Sequence, residues 1–180
     1  MSSQRSARRI GYPRTVQATL VPVEEYLRTN YDPDCEYVDG QIVERNLGEK
    51  PHSRMQGEFI VYLSDKVRKL GMEVIPEQRV QVSPTRYRIP DVTVLPISDE
   101  RIVTSPPFIC IEILSKDDAM QYMQEKIDDY LNFGVPYIWI INPGNKKAYV
   151  VTRAGMVEAT SGILETKDPE VSMPVSVLFE

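Results

Sequence analysis

A single histidine and two cysteines stand in a chain of 180 residues, and that scarcity closes several routes to function. Cys35, Cys110 and His52 cannot complete a four-ligand structural zinc site. A multi-histidine metal nuclease and a metalloprotease helix with two histidines are excluded as well. Two cysteines are too few for a disulfide framework. With no apolar signal-peptide core at the start, they read as reduced thiols of a cytoplasmic protein. No apolar run approaches the length of a membrane span. Neither a glycine-rich phosphate loop nor a Gly-x-Ser-x-Gly elbow occurs, so nucleotide-cofactor and serine-hydrolase chemistries lack support. Positive charge is also in deficit: 21 Lys and Arg face 26 Asp and Glu, for a net charge of −5. Such a chain does not coat nucleic acid by charge alone, but a nuclease needs only a local basic patch beside an acidic metal site. Any catalytic metal here is expected to be bound by oxygen, which means magnesium, with manganese as a substitute.

What the chain does have is the length and apolar content of one globular domain. Residues 1–17, with Arg5, Arg8, Arg9 and Arg14, read as a flexible basic leader, and residues 18–180 as a single domain. Val21–Thr29 is a short helix candidate with Pro22 in its first turn. Cys35–Glu44 is a β-hairpin turned by Asp39-Gly40. His52–Leu70 reads as an amphipathic helix, with Met55, Phe59, Tyr62, Leu63, Val67 and Leu70 at helical spacing and Gly71 ending it. Glu73–Val82 and Tyr87–Leu95 read as two strands, and Phe108–Leu114 as a third. A helix capped by Asp117 or Asp118 then runs to Phe133 and Gly134. Tyr137–Ile141 and Lys147–Arg153 follow as strands. Helices interleave with strands around a mixed sheet, so the class is α/β or α+β, with the hairpin as an N-terminal extension.

Two of these strands carry a carboxylate where a near-continuous apolar run predicts burial: Asp91 in Arg88-Ile-Pro-Asp-Val-Thr-Val-Leu95, and Glu112 in Pro107-Phe-Ile-Cys-Ile-Glu-Ile-Leu-Ser115. A charge there is costly unless it is paired or binds a metal. Period-two geometry puts Ile89, Asp91 and Thr93 on one face, and Cys110, Glu112 and Leu114 on one face of the next strand. In the simplest register the acids converge, and two carboxylates together make a divalent-cation site able to activate water on a phosphate. Each acid alone also fits a solvated strand end, or a pair with Arg86 or Arg88. Lys126 borders the buried helix stripe of Met120, Met123, Ile127, Tyr130 and Leu131. Its ammonium can snorkel to water or point over the carboxylates. Lys116 sits in the loop after the strand.

Arg88-Ile-Pro-Asp91, Glu112-Ile-Leu-Ser115, Lys126-x-x-x-Tyr130 and Gly134-Val-Pro-x-Tyr-x-Trp-Ile140 together resemble the Uma2 (DUF820) family of restriction-endonuclease-like proteins, within the PD-(D/E)xK nuclease superfamily. The hairpin Glu36-Tyr-Val-Asp-Gly40 and the helix opened by His52 suit it too, so the resemblance spans about Val21 to Val151. It implies a restriction-endonuclease-like mixed sheet flanked by helices, acting as a Mg²⁺-dependent endonuclease on DNA. Asp91 and Glu112 match the motif acids and would be the metal ligands. The superfamily's lysine should stand two residues after the acid, where this chain has Leu114; Lys126 would replace it, with Tyr130 bracing the site.

Glu44, at the hairpin end, and Glu58, on the long helix, are further acids that could complete the site, although Glu58 also fits an exposed helix position. Glu77 has no assigned facing. His52 reads as a helix opener with a cleft role as the alternative, Trp139 as core or a dimer contact, Cys110 as apolar filler, and Asp128 and Asp129 as solvent-facing. Two other functions remain open: a catalytically degenerate nuclease fold serving as a nucleic-acid or protein interaction module, and a glycosidase-like carboxylate pair. The glycosidase reading lacks an aromatic-rich cleft. A homodimer is expected, since a two-fold protein suits two-fold DNA.

Overall fold

A computed structural model describes residues 19–45, 49–115 and 120–179. The basic leader, Lys116 and the proposed caps Asp117 and Asp118 lie outside the described residues.

A short helix α1 (Val23–Arg28) precedes the hairpin β1 (Cys35–Val38) and β2 (Gln41–Glu44). Asp39 and Gly40 turn the hairpin with φ of 49° and 90°. That is the double left-handed turn whose twist matches paired strands. The long helix α2 (Lys50–Arg68) buries Met55, Phe59, Leu63 and Val67, a stripe at intervals of four. It ends two residues before the expected Leu70, which is exposed, and Gly71 follows at φ 73°.

The two long strands expected between residues 73 and 95 are four short ones: β3 (Met72–Pro76), β4 (Val80–Ser83), β5 (Arg86–Arg88) and β6 (Val92–Pro96). The break between β5 and β6 falls at Pro90, which has no N–H for a ladder. The chain changes sheets there. After it come β7 (Ile109–Ile113), α3 (Met120–Phe133), β8 (Tyr137–Asn142), β9 (Lys147–Thr152), β10 (Gly155–Glu158), β11 (Ile163–Glu165), β12 (Ser172–Pro174) and a 3-10 turn over Val175–Phe179.

A six-stranded mixed sheet, in the order β10-β9-β8-β7-β6-β3, forms the centre. Only β7 and β8 run parallel, joined by α3 as the crossover. The hairpin is recruited into a second, antiparallel sheet of order β2-β1-β5-β4. Val92, Val94, Ile109, Ile111, Ile113, Trp139 and Ile141 face the α2 side of the central sheet. Leu95, Cys110, Ile138 and Ile140 face the other side, against Met123, Ile127 and Tyr130 of α3 and Val80 and Val82 of β4. Trp139 is therefore core, fully buried beside Phe59. Met120, expected in the α3 stripe, is 84% exposed. Among the described residues, no helix is long and apolar enough to cross a membrane.

Candidate active site

The register of β6 with β7 pairs Thr93 with Cys110 and Val92 with Ile111. Asp91 stands just before β6, next to the Val92–Ile111 pair that ends this ladder, and its charge is felt at Glu112 on β7. Both acids are buried, at 7% and 3% exposure. The convergence expected from the period-two pattern is present, although Asp91 lies just before β6 rather than inside a long strand.

Asp91 is held from three directions. Its Oδ2 accepts the Ile113 N–H at 2.7 Å and lies 3.2 Å from His52 Nε2, while its Oδ1 accepts Arg45 Nη2 at 3.0 Å. Its backbone oxygen takes Gln56 Nε2 at 3.1 Å and the Glu77 N–H at 3.2 Å. Burial alone would raise the Asp91 pKa. The His52 hydrogen bond and the nearby Lys126, His52 and Arg45 charges outweigh it and lower the value. The partners imagined for Asp91, Arg86 and Arg88, are engaged elsewhere; Arg45 and His52 take their place.

Glu112 meets Lys126. The ammonium donates to Glu112 Oε2 at 2.8 Å and lies 3.2 Å from Glu36 Oε1, while the Tyr130 hydroxyl donates to Glu112 Oε1 at 2.6 Å. Of the two outcomes open to Lys126, the structure has the inward one, with 6% exposure. The two residues stand one turn apart on α3, so one helix face delivers both to the same carboxylate. Burial pushes the Glu112 carboxyl up to about 7, and the neighbouring Asp91 and Glu36 charges add to it against the pull of Lys126. Burial, then the Glu112 charge, carry the Tyr130 hydroxyl well above its ordinary value.

Sequence reasoning missed Glu36, which is fully buried in β1. It accepts Arg88 Nη1 at 2.9 Å, the Ile89 N–H at 3.0 Å and the Tyr122 hydroxyl. Burial works to raise its pKa, but Lys126 and Arg88 overcome that and hold it at about 2. Arg88 also donates to Asp129 at 2.7 Å, and Arg86 reaches Asp129 at 2.9 Å. Asp129 is thus an anchor for two arginines and not a solvent-facing residue; Asp128 is exposed as expected. The signal that could have found Glu36 is a carboxylate between Cys35 and Tyr37 in a strand whose neighbours are apolar.

Glu44 and Glu58 are both half-buried, and neither is tied to Asp91 or Glu112 by a hydrogen bond or ion pair among the described residues. Glu77 follows β3, on the surface. Cys110 is wholly buried, and burial raises its thiol well above the usual range, which suits a filler and not a nucleophile.

Among the described residues no group of three or more His, Cys, Asp or Glu side chains forms a cage for a metal. The Asp91–Glu112 pair nevertheless fits magnesium by its chemistry. Its donors are oxygens, and magnesium is commonly held by one or two carboxylates, completed by water and phosphate.

A family model described as "Uma2: Putative restriction endonuclease" matches residues 23–178. The fold is similar to a crystal structure described as "a putative nuclease belonging to DUF820 from Anabaena variabilis ATCC 29413". The TM-score is 0.75 at 22% identity, over 87% of this chain and 96% of that one. A cryo-electron-microscopy structure of a DrdV–DNA complex overlaps 73% of this chain and 14% of its own, with a TM-score of 0.37 and 16% identity. Nothing follows from so partial an overlap. No curated protein matches.

Proposed function

The chain belongs to the Uma2 family, and from that premise we propose that it is a Mg²⁺-dependent endonuclease that hydrolyses DNA phosphodiester bonds. The observation that carries this reading is the buried Lys126 ammonium, 2.8 Å from Glu112. Leu114 occupies the position of the superfamily's strand lysine, and α3 supplies an amine to the same carboxylate from across the sheet.

Asp91 and Glu112 would hold the ion, with Mn²⁺ as a substitute. When bound, magnesium supplies Lewis acidity and a more acidic water. The chain's own groups do the rest. The Ile113 N–H fixes the Asp91 carboxylate, and the Tyr130 hydroxyl fixes Glu112. Lys126 places a permanent positive charge where charge develops on the phosphate, with Glu36 on its other side preventing it from swinging away. Burial of the pair keeps bulk water from screening that charge.

The test is cleavage of plasmid and linear DNA with Mg²⁺ or Mn²⁺, together with calorimetric ion titration. Wild type should cleave and bind the ion saturably, and Asp91→Asn and Glu112→Gln should lose both. An Asp91→Ala protein that cuts at the parental rate would sink the assignment. One observation favours a second reading, a non-catalytic interaction module: Arg45, His52 and Ile113 already occupy both Asp91 oxygens. DNA binding with no cleavage, and no ion uptake even with DNA present, would select it. A homodimer belongs to the same proposal, and light scattering during gel filtration checks it.

A further inference from the structure

Beside Asp91 lies an arrangement that the metal site does not use. Arg45 forks two ways: Nη2 reaches Asp91 at 3.0 Å, and Nη1 lies 3.4 Å from Oε1 of Glu77. Gln56 does the same from α2, with its Nε2 3.1 Å from the Asp91 backbone oxygen and 3.4 Å from that same Glu77 Oε1. One anionic oxygen thus sits between a guanidinium and an amide, immediately outside the buried carboxylate pair. We propose that Arg45 and Gln56 form a binding site for a backbone phosphate of DNA, and that the Glu77 carboxylate occupies it in the free protein.

The proposal rests on the nuclease reading and adds the place where the substrate is gripped. Planar guanidinium and amide donors are what a phosphodiester's two free oxygens require. The two halves of the Arg45 contact differ in kind. Asp91 is buried and its contact is short; Glu77 has 55% side-chain exposure and its contacts are long. An exposed pair of that sort is worth little and exchanges readily. Arg45 can therefore keep its hold on Asp91 while its second arm passes from carboxylate to phosphate. The surface continues past Glu77 into a cleft of about 370 Å³, whose walls include Gln78, Arg79 and Arg101. A strand leaving the site along it would meet Gln78 and Arg101, with Arg79 held by Asp34. Two acids lie on that path: Glu77, between Arg45 and Gln56, and Asp34, which is paired with Arg79 at 3.0 Å.

The experiment is fluorescence anisotropy of a labelled duplex against wild type, Arg45→Ala, Glu77→Asn and the double variant, with Ca²⁺ replacing Mg²⁺ and a series of KCl concentrations. Asn is chosen because Glu77 has φ 52°, a conformation Asn tolerates. Glu77→Asn should bind severalfold tighter. Arg45→Ala should bind about tenfold more weakly, with the slope of log affinity against log salt shallower by about 0.9, the loss of one phosphate contact. The gain from Glu77→Asn should vanish in the Arg45→Ala background, since a competitor matters only while there is a site to compete for. A gain that persists without Arg45 would mean simple removal of a negative charge and would overturn the proposal, as would no gain at all. If Arg45→Ala does not fold, Arg45→Lys, which keeps the charge and loses the fork, takes its place. Wild type that binds duplex but never cleaves it overturns the nuclease reading while leaving the coupling measurable. Wild type that cleaves but shows no coupling overturns only the phosphate site, and no binding at all overturns both.

Discussion

Replacing Lys126 with methionine isolates the centre of the site. The side chain is nearly isosteric, so packing against Met123 and Ile127 is preserved and the ammonium alone is lost. Glu36 would keep Arg88, Tyr122 and the Ile89 N–H, but among the described residues Glu112 would retain only the Tyr130 hydroxyl. Removing one partner of a buried ion pair costs about 3 to 5 kcal/mol, because the other charge is stranded. Glu112, with its carboxyl already near 7, can take a proton instead of remaining charged, which places the cost at the lower end, about 3 kcal/mol. For a chain of this size that lowers Tm by about 6 to 12 °C. Urea and thermal unfolding of Lys126→Met, Glu112→Gln and the double variant, all in EDTA, measure it. The double variant should recover most of the loss, since it strands no charge. A Lys126→Met protein within about 1 kcal/mol of wild type, or a double variant showing no coupling, would refute the buried pair.

Glu36 sets an acid limit. Its carboxyl is held at about 2 against an ordinary 4.5, a depression that contributes about 3 kcal/mol above pH 4.5 and is lost as pH falls toward 2. Acid unfolding of wild type should therefore be steep in that window, and Glu36→Gln should flatten it. Tyr130→Phe removes a buried donor to Glu112 and should cost about 1 to 3 kcal/mol in urea melts, with loss of ion affinity in calorimetry. Gly40→Ala sets a Cβ 2.9 Å from Leu20 Cδ2 at φ 90°, and should lower stability by at least about 1 kcal/mol in the same melts.

Local patterns made much of this legible. The stripe of α2, the Asp-Gly hairpin turn and the apolar run of β7 follow from spacing within one element. The convergence of Asp91 and Glu112 needed only two adjacent strands and a period of two. What stayed hidden depended on contacts far apart in sequence. Glu36 reaches Arg88 because β1 pairs with β5, Tyr37 against Tyr87, fifty positions away. No periodicity in either segment announces that pairing. His52 reaches Asp91 from the first turn of α2, and Arg45 reaches it from the position just after β2. The division of residues 73–95 between two sheets had a local cue in Pro90, which an alternating pattern concealed.

The move of the amine from strand to helix has a structural consequence. A lysine two residues beyond Glu112 would be positioned by its own strand, with the acid, as a local property of β7. Lys126 is positioned by the docking of α3, through Met123, Ile127 and Tyr130, and by Glu36 from the other sheet. Its ammonium therefore joins β1, β7 and α3, three elements that meet only when both sheets are assembled. An acid that strand geometry alone would leave buried and unpaired is compensated only by the completed fold. Loss of the hairpin sheet would free Lys126 on one side, and loss of α3 packing would withdraw it together with Tyr130. In either case Glu112 would stay on β7 while its balancing charge did not. That ties the integrity of the candidate site to the cooperativity of the fold as a whole, and not to the strand pair that carries its acids.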